Sequence, residues 1–292
     1  MILPHGGHPC LLAGVTAFLF GIALLGNFLA KVSDTSMPIK LTPSRLRDYQ
    51  TCPLQYRLKH VNGLASTTIA HSPALSFGNS LHAALQTLHK DGSVQIEAHE
   101  IPILFRQHWK SEWYVTREQE EAQFQLGITT IRNYIGKFSE VLGVIVGTEL
   151  YLSRLIAHED LRFELACRAD RIELHPDGTL EVLDYKTNAN GEVPTSVALA
   201  ADGVTFIYYL LTRIVYSKYP RVSVSQLNLI SLNKVTVEYT DAQRAADKAT
   251  LLNIVRAIEA ENFEVRLGAH CAWCAVRPHC PEVNKTTELS SL

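Results

Sequence analysis

The sequence lacks several features that would announce a function on their own. It contains no Gly-x-x-x-x-Gly-Lys-Ser/Thr motif, which excludes the phosphate-binding loop of a nucleotide-driven motor. Its formal net charge is −2, so any nucleic-acid-binding surface must be local rather than a property of the whole chain. No internal repeat or low-complexity tract stands out. With 292 residues, the chain can bury one substantial core or at most two small domains.

Formal side-chain charge is also missing from the first 30 residues. Residues 10–30 form a mostly apolar run of transmembrane length, and basic residues follow it. As a membrane span, this run would place the remainder of the chain in the cytoplasm. A cleaved signal peptide would need a basic n-region, which is missing. Met37 is one of only two methionines and follows the run. The favoured interpretation is translation from Met37, with residues 1–36 a mis-assigned extension; a membrane tether is the second.

Residues 163–187 contain the most informative pattern in the chain. Two β-rich runs flank a cluster of turn-forming residues at 175–178, so the segment is predicted to form a β-hairpin. Side chains of a strand alternate between its two faces, so one face of the second strand carries Val182, Asp184 and Lys186. In the first strand, it places on one face Arg168, Asp170 and Ile172.

The register of this hairpin decides whether it forms a site. Folded about Asp177, the hairpin sets Asp170 directly opposite Asp184, with Cβ atoms about 4.5–5.5 Å apart. Two carboxylates that close repel each other unless a cation separates them, and a divalent metal is the usual one. Lys186 lies on the same face and could reach a water or phosphate held by that metal. A two-residue loop would instead pair Asp170 with Tyr185, and the polar face would then be an ordinary solvated one.

Further helices and strands are predicted on both sides of the hairpin. Thr42 is expected to cap a helix that begins at Pro43, and Thr240 a later helix, with Gln243 completing a capping box. Gly78 and His82 lie one turn apart on a helix predicted over residues 75–89. Other helices are predicted over residues 101–113, 118–142 and 202–216, and strands over residues 144–156, 226–232 and 235–239.

These residues together resemble the PD-(D/E)XK nuclease superfamily and, more narrowly, its RecB-like branch. The family pattern is an Asp at the end of one strand and Asp/Glu-x-Lys on the next, here Asp170 and Asp184-Tyr185-Lys186. Two further motifs occur in the family's order, and they are Ser44-x-Leu46-x-x-Tyr49-x-x-Cys52-Pro53 and Gly78-x-x-x-His82. The resemblance covers residues 41–282 and leaves residues 283–292 as a tail.

The resemblance implies a role for each matched residue. Asp170, Asp184 and the backbone carbonyl of Tyr185 would hold Mg²⁺ or Mn²⁺, with His82 as a further ligand. Lys186 would orient the attacking water and neutralise developing charge. Glu149 lies in a predicted strand where the family often has an acidic residue.

One family motif is incomplete. Relatives show Gln-x-x-x-Tyr in the helix after the hairpin, and this chain has Thr205 and Tyr209 there. Tyr209 is expected to support the site or to stack against a nucleotide. Because Thr205 is shorter than the family Gln, its presence puts the cleavage rate or the strand preference in doubt.

The cysteines form a one-plus-three arrangement. Cys271, Cys274 and Cys280 follow a C-x2-C-x5-C pattern, and Cys52 lies more than 200 residues upstream. Four thiolates can bind zinc or an iron–sulfur cluster. The split arrangement resembles the 4Fe–4S staple of AddB-like and CRISPR-associated RecB-like exonucleases, which would join the two ends of the domain. Zinc held by three cysteines and His270 or His279 is the alternative; Cys167 is expected to be a buried apolar residue.

The resemblance implies an α/β fold, with a central mixed sheet flanked by helices and a C-terminal cluster region. The expected function is metal-dependent DNA hydrolysis by a cytoplasmic enzyme, an exonuclease in DNA repair, recombination or CRISPR adaptation. Its partners would be DNA, single-stranded or at its ends, and a helicase encoded elsewhere. A membrane contact follows only if residues 10–30 are native. The competing hypothesis is a DNA-end-binding module with weakened catalysis, for which Thr205 is the sequence support.

Overall fold

A computed structural model describes residues 38–64, 72–90, 96–138 and 143–282. The apolar run at residues 10–30, the proposed start at Met37 and the tail at 283–292 lie outside these ranges. Among the described residues, no helix is both long enough and apolar enough to cross a membrane.

The described strands form one mixed sheet of six strands, as predicted for an α/β nuclease core. The strands are β1 (Ile39–Leu41), β2 (Val144–His158), β3 (Leu161–Leu174), β4 (Thr179–Lys186), β5 (Arg221–Asn228) and β6 (Lys234–Glu238). The order across the sheet is β1-β3-β4-β5-β6, and β2 pairs with β3. The β1–β3 and β4–β5 pairs are parallel, whereas the β2–β3, β3–β4 and β5–β6 pairs are antiparallel.

Helices flank this sheet. They are α1 (Pro43–Thr51), α2 (Pro53–Tyr56), α3 (Pro73–Leu88), α4 (Ile101–His108), α5 (Arg117–Phe138), α6 (Ser196–Ala200), α7 (Gly203–Val215) and α8 (Asp241–Glu259). A π-helical segment (Arg57–Val61) follows α2, and two 3₁₀ turns (Ala269–Trp273 and Arg277–His279) follow α8. The predicted caps are confirmed, since Thr42 Oγ1 accepts from Arg45 N and Thr240 with Gln243 forms a capping box.

Two predicted elements have different bounds in the structure. The helix predicted over residues 101–113 ends at His108, because Trp109 is extended and its indole N–H donates to Glu120 Oε1 at 2.9 Å. The strand predicted over residues 226–232 ends at Asn228, whose side-chain Oδ1 accepts from Ile230 N and so turns the chain.

The sheet separates two apolar cores. Leu180 and Val182 of β4 belong to one core, which includes side chains of α1, α7 and α8. Leu183 and Tyr185 belong to the other, which includes side chains of α3, α4 and α5. Side chains of a strand alternate between faces, so β4 contributes to both cores.

The hairpin register is also confirmed. Arg171 pairs with Leu183, and Ile172 with Val182, so the strands are symmetric about Asp177 as predicted. The backbone N–H of His175 donates to Thr179 O, closing a three-residue loop in which Gly178 has a φ of 82°. That left-handed conformation favours glycine.

The predicted alternation of β3 does not continue through Asp170. The apolar residues of β3 that contact the first core occupy odd positions up to Ala169 and then position 172. Ile172 therefore shares its buried environment with Cys167 and Ala169 rather than with Arg168. The strand changes its facing near Asp170.

Candidate active site

The end of β4 presents the Asp-x-Lys motif at the margin of the buried sheet. Asp184 is 8% exposed, and Lys186 Nζ lies 2.5 Å from its Oδ2 atom. Burial raises the pKa of Asp184, and the neighbouring Asp170 carboxylate adds to this, whereas the Lys186 charge lowers it. The site therefore favours a cation beside Asp184.

Asp170 lies next to the motif because of the hairpin register. Its Oδ2 atom accepts a hydrogen bond of 2.6 Å from the backbone N–H of Tyr185. The Tyr185 ring points to the opposite face, where it is buried and lies edge-on to the His82 ring at 5.6 Å. The backbone of Tyr185 thus connects Asp170 with Asp184, and its ring contacts His82 of α3.

His82 enters the site from α3. Its Nδ1 atom lies 3.4 Å from Asp170 Oδ1 and 3.8 Å from Glu149 Oε1. The helix can approach because Gly78 has no side chain, and a Cβ there would lie 2.9 Å from Thr187 Oγ1. A larger residue at position 78 would therefore push α3 away from the end of β4.

Glu149 completes a group of three potential metal ligands. One ligand atom each from His82, Glu149 and Asp170 lies within 4.8 Å of the other two. Glu149 has a φ of 49°, a left-handed conformation that is unfavourable for a residue other than glycine. The backbone of Glu149 is therefore locally strained. Only the family resemblance had pointed to this residue in the sequence.

The electrostatics of this group favour a bound cation. Burial alone would lower the pKa of His82, but the hydrogen bonds and charges of Asp170 and Glu149 outweigh it and raise the pKa to about 10. Carboxylate oxygens with one imidazole suit a hard divalent ion such as Mg²⁺ or Mn²⁺. The donor set therefore fits a divalent metal. The name acid site is used below for His82, Glu149, Asp170, Asp184 and Lys186.

The expectation that Tyr209 stacks against a nucleotide is wrong. Its side chain is buried in the first core, where its ring lies 4.7 Å from that of Tyr239, so it is not available to stack on a nucleotide. The adjacent Tyr208 packs against the same core and interacts electrostatically with the acids. Burial raises the pKa of Tyr208, and the charges of Asp184 and Asp170 raise it further. Thr205, predicted to replace the family Gln, is 2% exposed and also lies in the core side of α7.

A second group of acids on the sheet is already neutralised. Glu173, His175 and Glu181 each place one ligand atom within 4.8 Å of the others. However, Arg171 Nη2 lies 2.5 Å from Glu173 Oε1, and Lys234 Nζ lies 2.9 Å from Glu181 Oε1. These ion pairs occupy the positions that a metal would take, so we assign the group a structural role.

Arg171 packs against Tyr185, the residue between the two motif residues of β4. It is 1% exposed, and its guanidinium carbon lies 5.6 Å from the centre of the Tyr185 ring. The same guanidinium donates to Tyr134 Oη. Sequence reasoning missed this residue, because an Arg in a strand gives no signal that it is buried.

The four motif cysteines are gathered where the α1–α2 junction meets the C-terminal turns. They surround a small cavity together with Gln55 and Arg266. The backbone N–H of Arg266 lies 3.4 Å from Cys52 Sγ, which ties the C-terminal segment to the first helices. Burial raises the pKa of Cys274, and the other three cysteines raise it further. Cys52, Cys271, Cys274 and Cys280 are called the cysteine site below.

Four thiolates gathered in one place can hold either zinc or an iron–sulfur cluster. His270 also lines this cavity, and its Nε2 atom lies 3.8 Å from Cys271 Sγ and 3.0 Å from the carbonyl oxygen of Arg266. The cysteine site therefore offers four thiols to a metal group, with one imidazole at its margin.

Cys167 is 2% exposed and lies in the first core, apart from the cysteine site. Burial raises its pKa to about 12. It is a buried apolar residue, as predicted.

The chain belongs to the PD-(D/E)XK nuclease superfamily, since the model of that family matches residues 40–281. The central mixed sheet with its flanking helices is consistent with this assignment.

Curated relatives match a shorter part of the chain. One is a subunit of the ATP-dependent helicase/deoxyribonuclease of Streptococcus pyogenes serotype M3, which is 22% identical over 156 residues. Those residues cover 53% of this chain and 15% of the relative. The corresponding protein of serotype M12 matches over the same extent at the same identity. The chain therefore spans a small fraction of the length of these relatives.

A solved structure of a Eubacterium rectale protein, described as a candidate exonuclease, aligns with 84% of this chain and 87% of its own. The sequence identity is 10% and the TM-score is 0.44.

Proposed function

We propose that this chain is a DNA exonuclease of the RecB-like branch that depends on Mg²⁺ or Mn²⁺. The observation that carries the proposal is the convergence of His82, Glu149 and Asp170 within 4.8 Å, beside Asp184 and its Lys186 partner. The ligands would be the side chains of His82, Glu149, Asp170 and Asp184, together with the backbone carbonyl of Tyr185. A bound divalent ion would lower the pKa of a water molecule and stabilise the charge of the transition state.

The protein's own groups have distinct tasks in this reaction. Lys186 is 38% exposed at its side chain, so its ammonium can face substrate while it remains paired with Asp184. In that position it orients the attacking water and neutralises charge that develops on the phosphate. The hydrogen bond from Tyr185 N fixes Asp170, so its carboxylate need not reorganise during the reaction.

The cysteine site is proposed to hold a 4Fe–4S cluster through Cys52, Cys271, Cys274 and Cys280. The gathering of all four thiols around one cavity, one from the α1–α2 junction and three from the C-terminal turns, supports this assignment. Such a group would connect the first helices to the C-terminal turns, because Cys52 precedes the other three by more than 200 residues.

The cellular setting follows from the proposed chemistry and from the relatives. The relatives are named as parts of an ATP-dependent helicase/deoxyribonuclease. We infer that this chain acts in the cytoplasm on single-stranded DNA or DNA ends, in repair, recombination or CRISPR adaptation, beside a helicase supplied by another chain.

The test is single-turnover cleavage of single-stranded DNA by the anaerobically purified protein in Mn²⁺. A 5′-labelled and a 3′-labelled linear strand should each be degraded, and a chelator should stop the reaction. A circular single strand of the same sequence is the control, and an exonuclease leaves it intact. Cleavage of the circle would show endonuclease activity instead.

A second candidate is a module that binds DNA ends and cuts them poorly. It is favoured by the lack of the family Gln one helical turn before either tyrosine of α7. Val204 stands there for Tyr208, and Thr205 stands there for Tyr209. Tight binding of the linear strand without cleavage in Mn²⁺ would establish this candidate.

A further inference from the structure

The outer face of β2 and β3 carries an exposed aromatic residue beside an exposed guanidinium. Tyr151 and Arg168 are direct cross-strand partners, so their side chains lie on the same face. Tyr151 is 54% exposed, and the Arg168 side chain is 61% exposed. Neither residue belongs to the acid site.

The position of the pair links it to the acid site. Tyr151 lies two residues from Glu149, and Arg168 lies two residues from Asp170, which is about 7 Å along the strands. Arg168 Nη1 is 3.5 Å from the carbonyl oxygen of Glu149 and 3.9 Å from its carboxylate. The Arg168 end of this ion pair is exposed and the pair is long, so it contributes little and the guanidinium is free to take another anion.

The Tyr151 ring is held in place rather than loose. Its hydroxyl accepts a hydrogen bond of 2.8 Å from Lys40 Nζ and donates one of 3.3 Å to Glu164 Oε1. These contacts anchor the tip of the side chain and leave a ring face accessible, which reduces the entropy that a stacked base would cost.

We propose that Tyr151 and Arg168 form a nucleotide subsite for single-stranded DNA, immediately next to the scissile phosphate. Arg168 binds a backbone phosphate through its guanidinium, and Tyr151 stacks on the adjoining base. An aromatic ring beside a cation is the arrangement by which proteins bind single strands without reading sequence. In a duplex the neighbouring base pairs cover the faces of each base, so this subsite selects an unpaired strand.

The proposal rests on the nuclease function proposed above, because the strand is placed by its scissile phosphate at the acid site. The occupant is DNA rather than an apolar partner, since a guanidinium adjoins the ring and the face leads into a site suited to phosphate chemistry.

The test measures how tightly the full chain binds a fluorescently labelled oligo(dT) strand, by fluorescence anisotropy. A chelator is present to prevent cleavage, and the measurement is repeated over a series of salt concentrations. Arg168→Ala should reduce the slope of log K against log salt by about 0.7, the value for one lost contact to a single-strand phosphate. Tyr151→Ala should weaken binding about tenfold, and Tyr151→Phe, which keeps the ring, should bind nearly as wild type does.

Arg162→Ala is the matched control. Arg162 is also exposed on β3 but lies six residues from Arg168, about 20 Å along the strand, opposite Ala157. It should change neither the slope nor the affinity appreciably.

A second measurement needs no variant to fold. A series of strands, each with one abasic position, should show a single position at which base removal weakens wild-type binding. Loss of binding spread evenly over all positions, or at none, would contradict the stacking role of Tyr151.

Equal affinities and slopes for the Arg168, Tyr151 and Arg162 variants would overturn the subsite. A change from dimer to monomer in Tyr151→Ala would also overturn it and assign the face to a second copy. If wild type cleaves DNA and the variants bind alike, the subsite fails while the nuclease function stands. If wild type binds the strand and Arg168→Ala lowers the slope as predicted, but wild type does not cleave, the nuclease function fails and the binding subsite stands.

Discussion

The acid site and the cysteine site differ in how the fold holds them together. The acid site is built on adjacent strands of the sheet, and backbone pairing holds Asp170 against Tyr185. The cysteine site joins the α1–α2 junction to two short 3₁₀ turns through side-chain contacts, in which Arg266 N donates to Cys52 Sγ and Cys274 Sγ donates to Gln55 Oε1. The acid site is therefore held by strand pairing, whereas the cysteine site is held by a few side-chain contacts between distant segments and would gain more cohesion from a bound metal group. This difference predicts that substitutions in the acid site affect chemistry and substitutions in the cysteine site affect stability.

The largest effect is expected from removing the motif side chains of β4. Asp184→Ala and Lys186→Ala should each lower the single-turnover cleavage rate at least about a thousandfold, because each removes a group that acts on the transition state. The fold should persist, since Asp184 lies at the strand end and its burial as a charge is unfavourable. Asp160→Ala, in the exposed β2–β3 turn, is the control and should cleave normally. Normal cleavage by both motif variants would refute the nuclease assignment.

A smaller loss of activity and a larger loss of stability are expected from Cys274→Ala. After anaerobic preparation, wild type should contain about four irons and four sulfides per chain, and the variant should lose them. Thermal unfolding should begin at a lower temperature, and limited proteolysis should open the segments near residues 52 and 271 together. Loss of a metal group that joins distant segments removes a direct contribution to folding.

Cys167→Ala is the matched cysteine control for that experiment. It should leave the iron content unchanged, because Cys167 lies in the core of the sheet. Stoichiometric zinc without iron in wild type would exclude the cluster and establish a zinc site instead.

The smallest effect is expected where α3 meets the sheet. In Gly78→Ala, the new methyl group would lie 2.9 Å from Thr187 Oγ1, so α3 must shift and carry His82 with it. We expect the cleavage rate to fall about tenfold, as a small misplacement of a site residue can cost. Gly136→Ala is the control, because nothing lies within 4 Å of a Cβ there. That change should stabilise α5 by up to about 1 kcal/mol and leave cleavage unchanged. Equal cleavage by both variants would contradict the packing role of Gly78.

Alternation and turn chemistry were sufficient to predict the central hairpin. The turn-forming residues set the loop at Asp177, and the register then brought Asp170 next to the Asp-x-Lys strand. The alternation of β4 could also be predicted, with Val182 and Asp184 on one face and Leu183 and Tyr185 on the other.

The sequence could not predict features that depend on how elements are rotated against each other. Tyr208 and Tyr209 are adjacent on α7, and only the packing of that helix decides which one interacts with the acids. Glu149 has a positive φ, which breaks the regular alternation near the site. The burial of Arg171 depends on Glu173 and on rings from other elements, so no local pattern announces it.

Binding of Mn²⁺ to the chain is the most direct test of the acid site as a metal centre. Electron paramagnetic resonance of free Mn²⁺ can measure it without DNA and without turnover. Wild type and Cys274→Ala should both take up Mn²⁺, whereas a variant with Asp170→Asn and Asp184→Asn should leave it free in solution. If the double variant binds Mn²⁺ as tightly as wild type, the ion is held elsewhere and the acid site is not the metal centre.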